Sequence, residues 1–268
     1  MPGAGCALLV MLHGCGQDPD DFAAGTRMNE HADREGFLVV YPAQAVAANA
    51  AGCWNWFDEA HQRRDRGEPA LIAGITRQVA AQFTADPRRI HVGGMSAGAA
   101  MAVILGATHP ELFAGVGAHS GLPYRAARDA ASAFAAMRQG VATAATAAAA
   151  VPVPTIVFHG DDDPIVDAAN GRRIAEQAVS LLNVDGHGTL EAEVRAPPAA
   201  NGREYTVTAY RRATAPPSAA APPAVEHWAV HGAGHAWSGG SSHGSFTDPS
   251  GPDASAEMIR FFHAHPHA

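Results

Sequence analysis

Charge and cysteine are both scarce in this chain. Only 16% of its 268 residues are charged, against 47% hydrophobic. Apolar content at that level excludes an intrinsically disordered chain, which would be poor in apolar residues and rich in net charge. Basic residues are the minority, 18 Lys and Arg against 26 Asp and Glu, for a net charge of −8. That balance excludes the basic surface a nucleic-acid partner requires and leaves no polybasic patch for a membrane. A run of about 18 apolar residues is also missing, so the sequence contains no candidate bilayer-spanning helix. The three cysteines, Cys6, Cys15 and Cys53, are too few and odd in number for a disulfide framework. None is spaced as a zinc-ligand pair.

What the chain does have is rhythm. Short apolar runs at 7–13, 37–41, 90–93, 115–118, 155–159 and 226–230 read as strands, and amphipathic stretches at 26–35, 70–84, 97–108, 169–182 and 254–263 read as helices. Strands that are apolar at nearly every position are covered on both faces, as in a parallel sheet between helices. The alternation predicts an α/β chain with a mostly parallel, doubly wound sheet, organised as one domain over residues 1–268. Functional groups are then expected at the carboxyl ends of the strands. The stretch 7–13 lacks a basic flank and reads as a core strand rather than a secretory leader. Two regions break the rhythm: 141–154, expected to be a surface linker, and 195–224, expected to be a peripheral hairpin or extended loop around Tyr205-Thr206-Val207-Thr208-Ala209-Tyr210.

The most informative segment is Gly94-Met95-Ser96-Ala97-Gly98, entered from an apolar strand and left through an apolar helix. Strand, sharp turn and helix with a serine at the apex form a nucleophile elbow. A serine hydroxyl needs a base to take its proton and a carboxylate to orient that base. In this arrangement the partners follow in the order serine, acid, histidine. The end of the strand at 155–159 supplies Asp161, Asp162 and Asp163. The end of the strand at 226–230 supplies His231 and His235. His235 lies in a glycine-flanked loop, whereas His231 sits at the strand end, where local hydrogen bonds can account for it. Gly232 and Gly234 argue against a helix that would make the two histidines a metal-ligand pair. The turn His13-Gly14-Cys15-Gly16-Gln17 after the first strand suits an oxyanion hole, with the backbone N–H groups of Cys15 and Ala97 as donors.

Taken together, these pieces resemble the esterases of the poly(3-hydroxybutyrate) depolymerase family, relatives of feruloyl and acetylxylan esterases. The matching motifs are Leu12-His13-Gly14-Cys15-Gly16-Gln17, Cys53-Trp54-Asn55-Trp56-Phe57, Gly67-Glu68-Pro69-Ala70, the serine elbow, His159-Gly160-x-x-Asp163, Gly234-His235-Ala236-Trp237-Ser238-Gly239-Gly240 and Gly251-Pro252-Asp253-Ala254-Ser255. The resemblance implies an α/β-hydrolase fold with helices on both faces and no large lid. It implies Ser96 as nucleophile, Asp163 as acid and His235 as base, acting on short-chain polyhydroxyalkanoates in an extracellular or periplasmic setting. It also implies β-structure ahead of the His13 strand, where only residues 1–5 stand here, and hence either a sheet shorter at one edge or a sequence that begins late.

Trp54, Trp56 and Phe57 cluster in one loop and Trp237 follows His235 by two residues. Trp54, Trp56, Trp237 and His13 are the candidate substrate-binding side chains, the alternative being that the rings plug the core beneath the loop. A disulfide between Cys15 and Cys53 is expected to tie the aromatic loop beside the oxyanion turn, leaving Cys6 as a buried apolar residue. The mechanism expected is acyl transfer through a serine ester, which requires no metal and no organic cofactor. An ester or polyester is the only partner implied. The rival readings are a feruloyl or acetylxylan esterase, an aromatic-polyester hydrolase and, outside enzymes, a binding protein on a decayed hydrolase scaffold.

Overall fold

The computed structural model of the protein describes residues 5–141, 153–184, 188–198, 202–212 and 221–267. Its centre is the run Leu8-Leu9-Val10-Met11-Leu12, strand β1 (Leu8–Leu12), buried at all five positions. Alternate residues of a strand point to opposite faces. Leu8, Val10 and Leu12 accordingly join one apolar cluster, and Leu9 and Met11 join a second one across the sheet. The first cluster is filled by α3 (Gly67–Gln82), α4 (Ala97–Thr108), α5 (Ala130–Gln139) and α6 (Ala169–Asn183). The second is filled by α1 (Pro19–Thr26), α2 (Met28–Glu35) and α7 (Ala254–His263). Helices therefore cover both faces.

The remaining strands of the main sheet are β2 (Leu38–Val40), β3 (Ile90–Met95), β4 (Gly115–His119), β5 (Thr155–Gly160), β6 (Leu190–Arg195), β7 (Tyr205–Arg212) and β8 (Val225–Val230). They run in the order β2-β1-β3-β4-β5-β8-β7-β6. The pairs from β2 through β8 are parallel, and β7 is antiparallel to both of its neighbours. A short parallel pair, β9 (Trp237–Ser238) with β10 (Thr247–Asp248), lies apart from this sheet. Because six strands run the same way, the loops that follow β1, β3, β4, β5 and β8 emerge at one edge of the sheet.

All six apolar runs form strands. The helix expected at 26–35 is α2, which begins at Met28, and a further helix, α1, precedes it, the two separated where Arg27 adopts a left-handed conformation (φ 54°). Ahead of that break, α1 starts at Asp18-Pro19, where the aspartate side chain caps the Asp21 N–H and the proline occupies the first turn. Helix α5 starts from a reciprocal Asp129–Ser132 capping box. In the region 195–224 the expected hairpin is present, formed by β6 and β7 at the sheet edge. Its alternating segment is β7, hydrogen-bonded along β8 from Tyr205↔Val230 to Tyr210↔Val225, with Val207 and Ala209 buried. It extends the sheet itself, and β6 pairs on its outer side. Most of the expected linker at 141–154 lies outside the described residues.

Candidate active site

The serine elbow is built by close backbone packing. A Cβ at Gly98 would stand 2.1 Å from the Leu12 carbonyl oxygen, and one at Gly94 would stand 2.6 Å from the Gly98 carbonyl. Only glycine lets α4 start this close to β1 and β3. Between them Ser96 has φ 57° and ψ −120°, a backbone state that costs a non-glycine residue about 1–3 kcal/mol. Its N–H donates to the His119 carbonyl at 2.9 Å, so the strained residue is anchored to the next strand.

Asp163 follows β5 with its side chain fully buried. Its Oδ1 accepts the N–H groups of Ile165 and Val166, both at 2.9 Å, and its Oδ2 lies 2.7 Å from His235 Nδ1. The side chains are 0% and 6% exposed, respectively. A carboxylate only accepts, so His235 Nδ1 carries the proton and Nε2 presents its lone pair, the tautomer a general base needs. A second imidazole, His159 at the end of β5, bonds the Val166 carbonyl through Nε2 at 2.8 Å and lies 3.4 Å from the same Oδ2. Burial alone would raise the Asp163 pKa, but hydrogen bonds from His159 and His235 and the charge of His235 outweigh it. The carboxyl is held well below its usual range.

The two rival residues pair with each other. His231 Nδ1 meets Asp161 Oδ2 at 2.8 Å, and Gly232 N–H donates to Asp161 Oδ1 at 2.6 Å. The Thr206 hydroxyl lies 2.9 Å from His231 Nε2.

At the oxyanion turn, Gly14 N–H is taken by Gln17 Oε1 at 3.0 Å and Gly16 N–H by the Ala51 carbonyl at 3.1 Å. Among the described residues no acceptor is bonded to the Cys15 N–H between them or to the Ala97 N–H at the start of α4. Cys15 and Cys53 are joined in a disulfide, and Cys6 is a buried free thiol. Glu68 does what its motif did not reveal. Buried in the first turn of α3, it accepts Asn55 N–H at 2.7 Å, Asn55 Nδ2 at 2.6 Å and Gln44 Nε2 at 2.6 Å. Gln44 in turn donates its backbone N–H to His13 Nε2 at 3.2 Å. One carboxylate thus fastens the Cys53 loop to the oxyanion turn. The sequence signal for Glu68 is a lone acid at a helix start facing amide side chains, which only the fold brings together.

The candidate substrate-binding side chains are not set out as exposed rings. Trp54, Trp56, Trp237 and His13 are 3%, 5%, 1% and 2% exposed. Trp54 donates to the His13 carbonyl at 3.1 Å and packs against the His13 ring. Trp237 donates to Ser255 Oγ at 3.1 Å and meets Phe22 edge to face. His13 holds its own turn, with Nδ1–H on the Gly14 carbonyl at 2.9 Å, and burial lowers its pKa against the pull of that bond. The apolar payload of an indole outweighs any gain from leaving it in water, and the N–H groups of Trp54 and Trp237 find acceptors inside. These rings brace the site from below. Among the described residues no three His, Cys, Asp or Glu side chains gather as metal ligands.

A doubly wound, mostly parallel sheet that presents Ser96, Asp163 and His235 after β3, β5 and β8 has the α/β-hydrolase fold. Residues 2–197 match the family described as Esterase PHB depolymerase, and the chain belongs to that family. His235 lies beyond the matched span, so its place here rests on the bond to Asp163. The chain is 33% identical over 193 residues to poly(3-hydroxyalkanoate) depolymerase C of Paucimonas lemoignei, covering 68% of this chain and 46% of that protein. It is 35% identical over 128 residues to feruloyl esterase B of Neurospora crassa, covering 47% and 43%. The matches therefore span less than half the length of these relatives. Among solved structures, the acetyl xylan esterase from Aspergillus awamori superimposes with a TM-score of 0.73 at 18% identity, over 98% of this chain and 90% of that one. At that identity the likeness is one of fold.

Proposed function

We propose that residues 1–268 form one catalytic domain, a serine-dependent carboxylic ester hydrolase acting on short-chain polyhydroxyalkanoates or their oligomers. The buried 2.7 Å bond between Asp163 and His235 carries this reading, because it fixes an imidazole as a base at the sheet edge where Ser96 stands. His235 Nε2 removes the Ser96 proton as Oγ attacks the ester carbonyl. The Cys15 and Ala97 N–H groups stabilise the oxyanion, a single such donor contributing about 3–4 kcal/mol. The tetrahedral adduct collapses, the C–O bond to the alcohol breaks, and His235 returns the proton to the leaving oxygen. Water activated by the same imidazole then releases the acid and restores Ser96. Asp163 holds the tautomer and stabilises the transient imidazolium.

The Cys15–Cys53 disulfide supports an extracellular or periplasmic setting, since such bonds persist where the environment is oxidising. No helix among the described residues is long and apolar enough to cross a membrane.

Identity to a feruloyl esterase favours a second reading, removal of phenolic acyl groups from a polysaccharide. One panel separates the two. Purified protein is given a polyhydroxybutyrate suspension, soluble hydroxybutyrate oligomers and methyl ferulate. Clearing of the suspension or cleavage of the oligomers is expected, and turnover confined to methyl ferulate overturns the polyester assignment. A fluorophosphonate probe is expected to label Ser96, and a wild-type protein that takes no label overturns the serine mechanism.

A further inference from the structure

His119, the last residue of β4, belongs to none of the motifs that carry the family resemblance. Its main chain and its side chain nevertheless reach two of the loops from which the proposed reaction is built. The carbonyl accepts Ser96 N–H at 2.9 Å. The imidazole Nε2 accepts the backbone N–H of Ser238, three residues beyond His235, at 3.0 Å. Nδ1 faces Ser120 Oγ at 3.1 Å. We propose that His119 is a positioning residue that locks the loop carrying His235 to the backbone of Ser96, and so sets the base against the nucleophile.

The chemistry is one-directional. A backbone N–H can only donate, so His119 Nε2 must be the unprotonated nitrogen, and Nδ1–H is left to donate to Ser120 Oγ. A protonated ring would aim N–H at N–H and release the loop. Burial prevents this, lowering the His119 pKa to about 3, so the acceptor persists throughout the range where an esterase works. The ring cannot swing away either. It stacks on Phe158 with centroids 5.9 Å apart and planes at 9°, and on Trp237 at 5.0 Å and 25°. Ser238 is itself buried, its hydroxyl donating to the Pro252 carbonyl at 2.7 Å. If His119 Nε2 is lost, the Ser238 N–H has no acceptor and the loop must shift to find one. That shift begins three residues from the imidazole whose placement decides the rate.

The inference rests on the reading of Ser96 and His235 given above, and the test separates the two. His119→Phe keeps a flat ring between its neighbours and removes both nitrogens. His119→Gln keeps an acceptor near the position of Nε2, and His119→Asn carries the same amide on a stem too short to reach Ser238. With p-nitrophenyl butyrate, His119→Phe is expected to lose about 30-fold in kcat with KM within about 2-fold, the scale of a slightly misplaced catalytic group. Fluorophosphonate labelling should slow in the same proportion. His119→Gln is expected to stay within about 5-fold of wild type and His119→Asn to fall at least about 10-fold below His119→Gln. The Gln and Asn pair decides the matter if the Phe variant does not fold. A His119→Phe enzyme with unchanged kcat, or Gln and Asn variants equally impaired, overturns the proposal. Ser96→Ala protein that still hydrolyses the ester overturns the underlying reading instead.

Discussion

Two carboxylate–imidazole pairs stand side by side at the carboxyl edge of the sheet, Asp163–His235 and Asp161–His231. Their bonds are almost the same length, 2.7 Å and 2.8 Å, each from Nδ1 to Oδ2. They differ in what surrounds them. The side chains of the first pair are 0% and 6% exposed, those of the second 46% and 41%. In the second pair Thr206 already occupies Nε2, whereas among the described residues His235 has a hydrogen-bond partner at Nδ1 only. The pair itself is therefore not the functional unit. Burial that strengthens the interaction, together with a free Nε2, distinguishes the proposed base from a surface clasp.

The largest effect that tests this contrast comes from the imidazoles. His235→Asn is expected to lower kcat by about 10⁶-fold and His231→Asn by less than about 3-fold, measured on p-nitrophenyl butyrate. Equal losses would erase the distinction. The carboxylates come next. Asp163→Asn is expected to cost about 10⁴-fold, because an amide can favour the wrong tautomer, and Asp161→Asn almost nothing.

A thermodynamic contrast follows from burial. His119 and His227 are pushed down from the usual 6.5 to about 3 and about 4, chiefly by desolvation. Only the unfolded chain protonates these groups between those values and 6.5, so stability falls as pH drops through that window, by about 1.4 kcal/mol per unit for each histidine. Asp163 acts further down, its contribution present above the unfolded value and lost as pH falls toward its depressed native pKa. Chemical denaturation at pH 4.5 to 7 should show the slope, and His227→Leu should flatten it by about one proton. The smallest effect is expected from Thr206→Val, which removes the hydroxyl on His231. It should cost at most about 1 kcal/mol in a melt and leave turnover unchanged.

Much of this was legible in the sequence, for identifiable reasons. The parallel strands are apolar at nearly every position, and the serine elbow has its glycines where a Cβ would strike the backbone. Asp163 was separable from Asp161 mainly through the family pattern, with its place directly before Pro164 as a lesser sign, because both follow β5 and both meet an imidazole. Helix α1 was hidden because it is short and its junction with α2 turns on a non-glycine left-handed residue, Arg27. The integration of β7 into the sheet was hidden because strand pairing is decided by a distant partner, here β8. The sequence left open whether the tryptophans line the site or plug the core, because a cluster of rings in a loop says nothing about which way they face. Glu68 and His119 went unread because each acts through hydrogen bonds to residues that only the folded chain brings near.

The backbone at Ser96 has one more consequence. Glycine would adopt φ 57° there at little cost, so the substitution that abolishes turnover under the proposed mechanism would also relax the chain. Drift at this position runs toward a sturdier, inert protein. Under the proposed mechanism, the serine persists only while natural selection rewards the reaction itself.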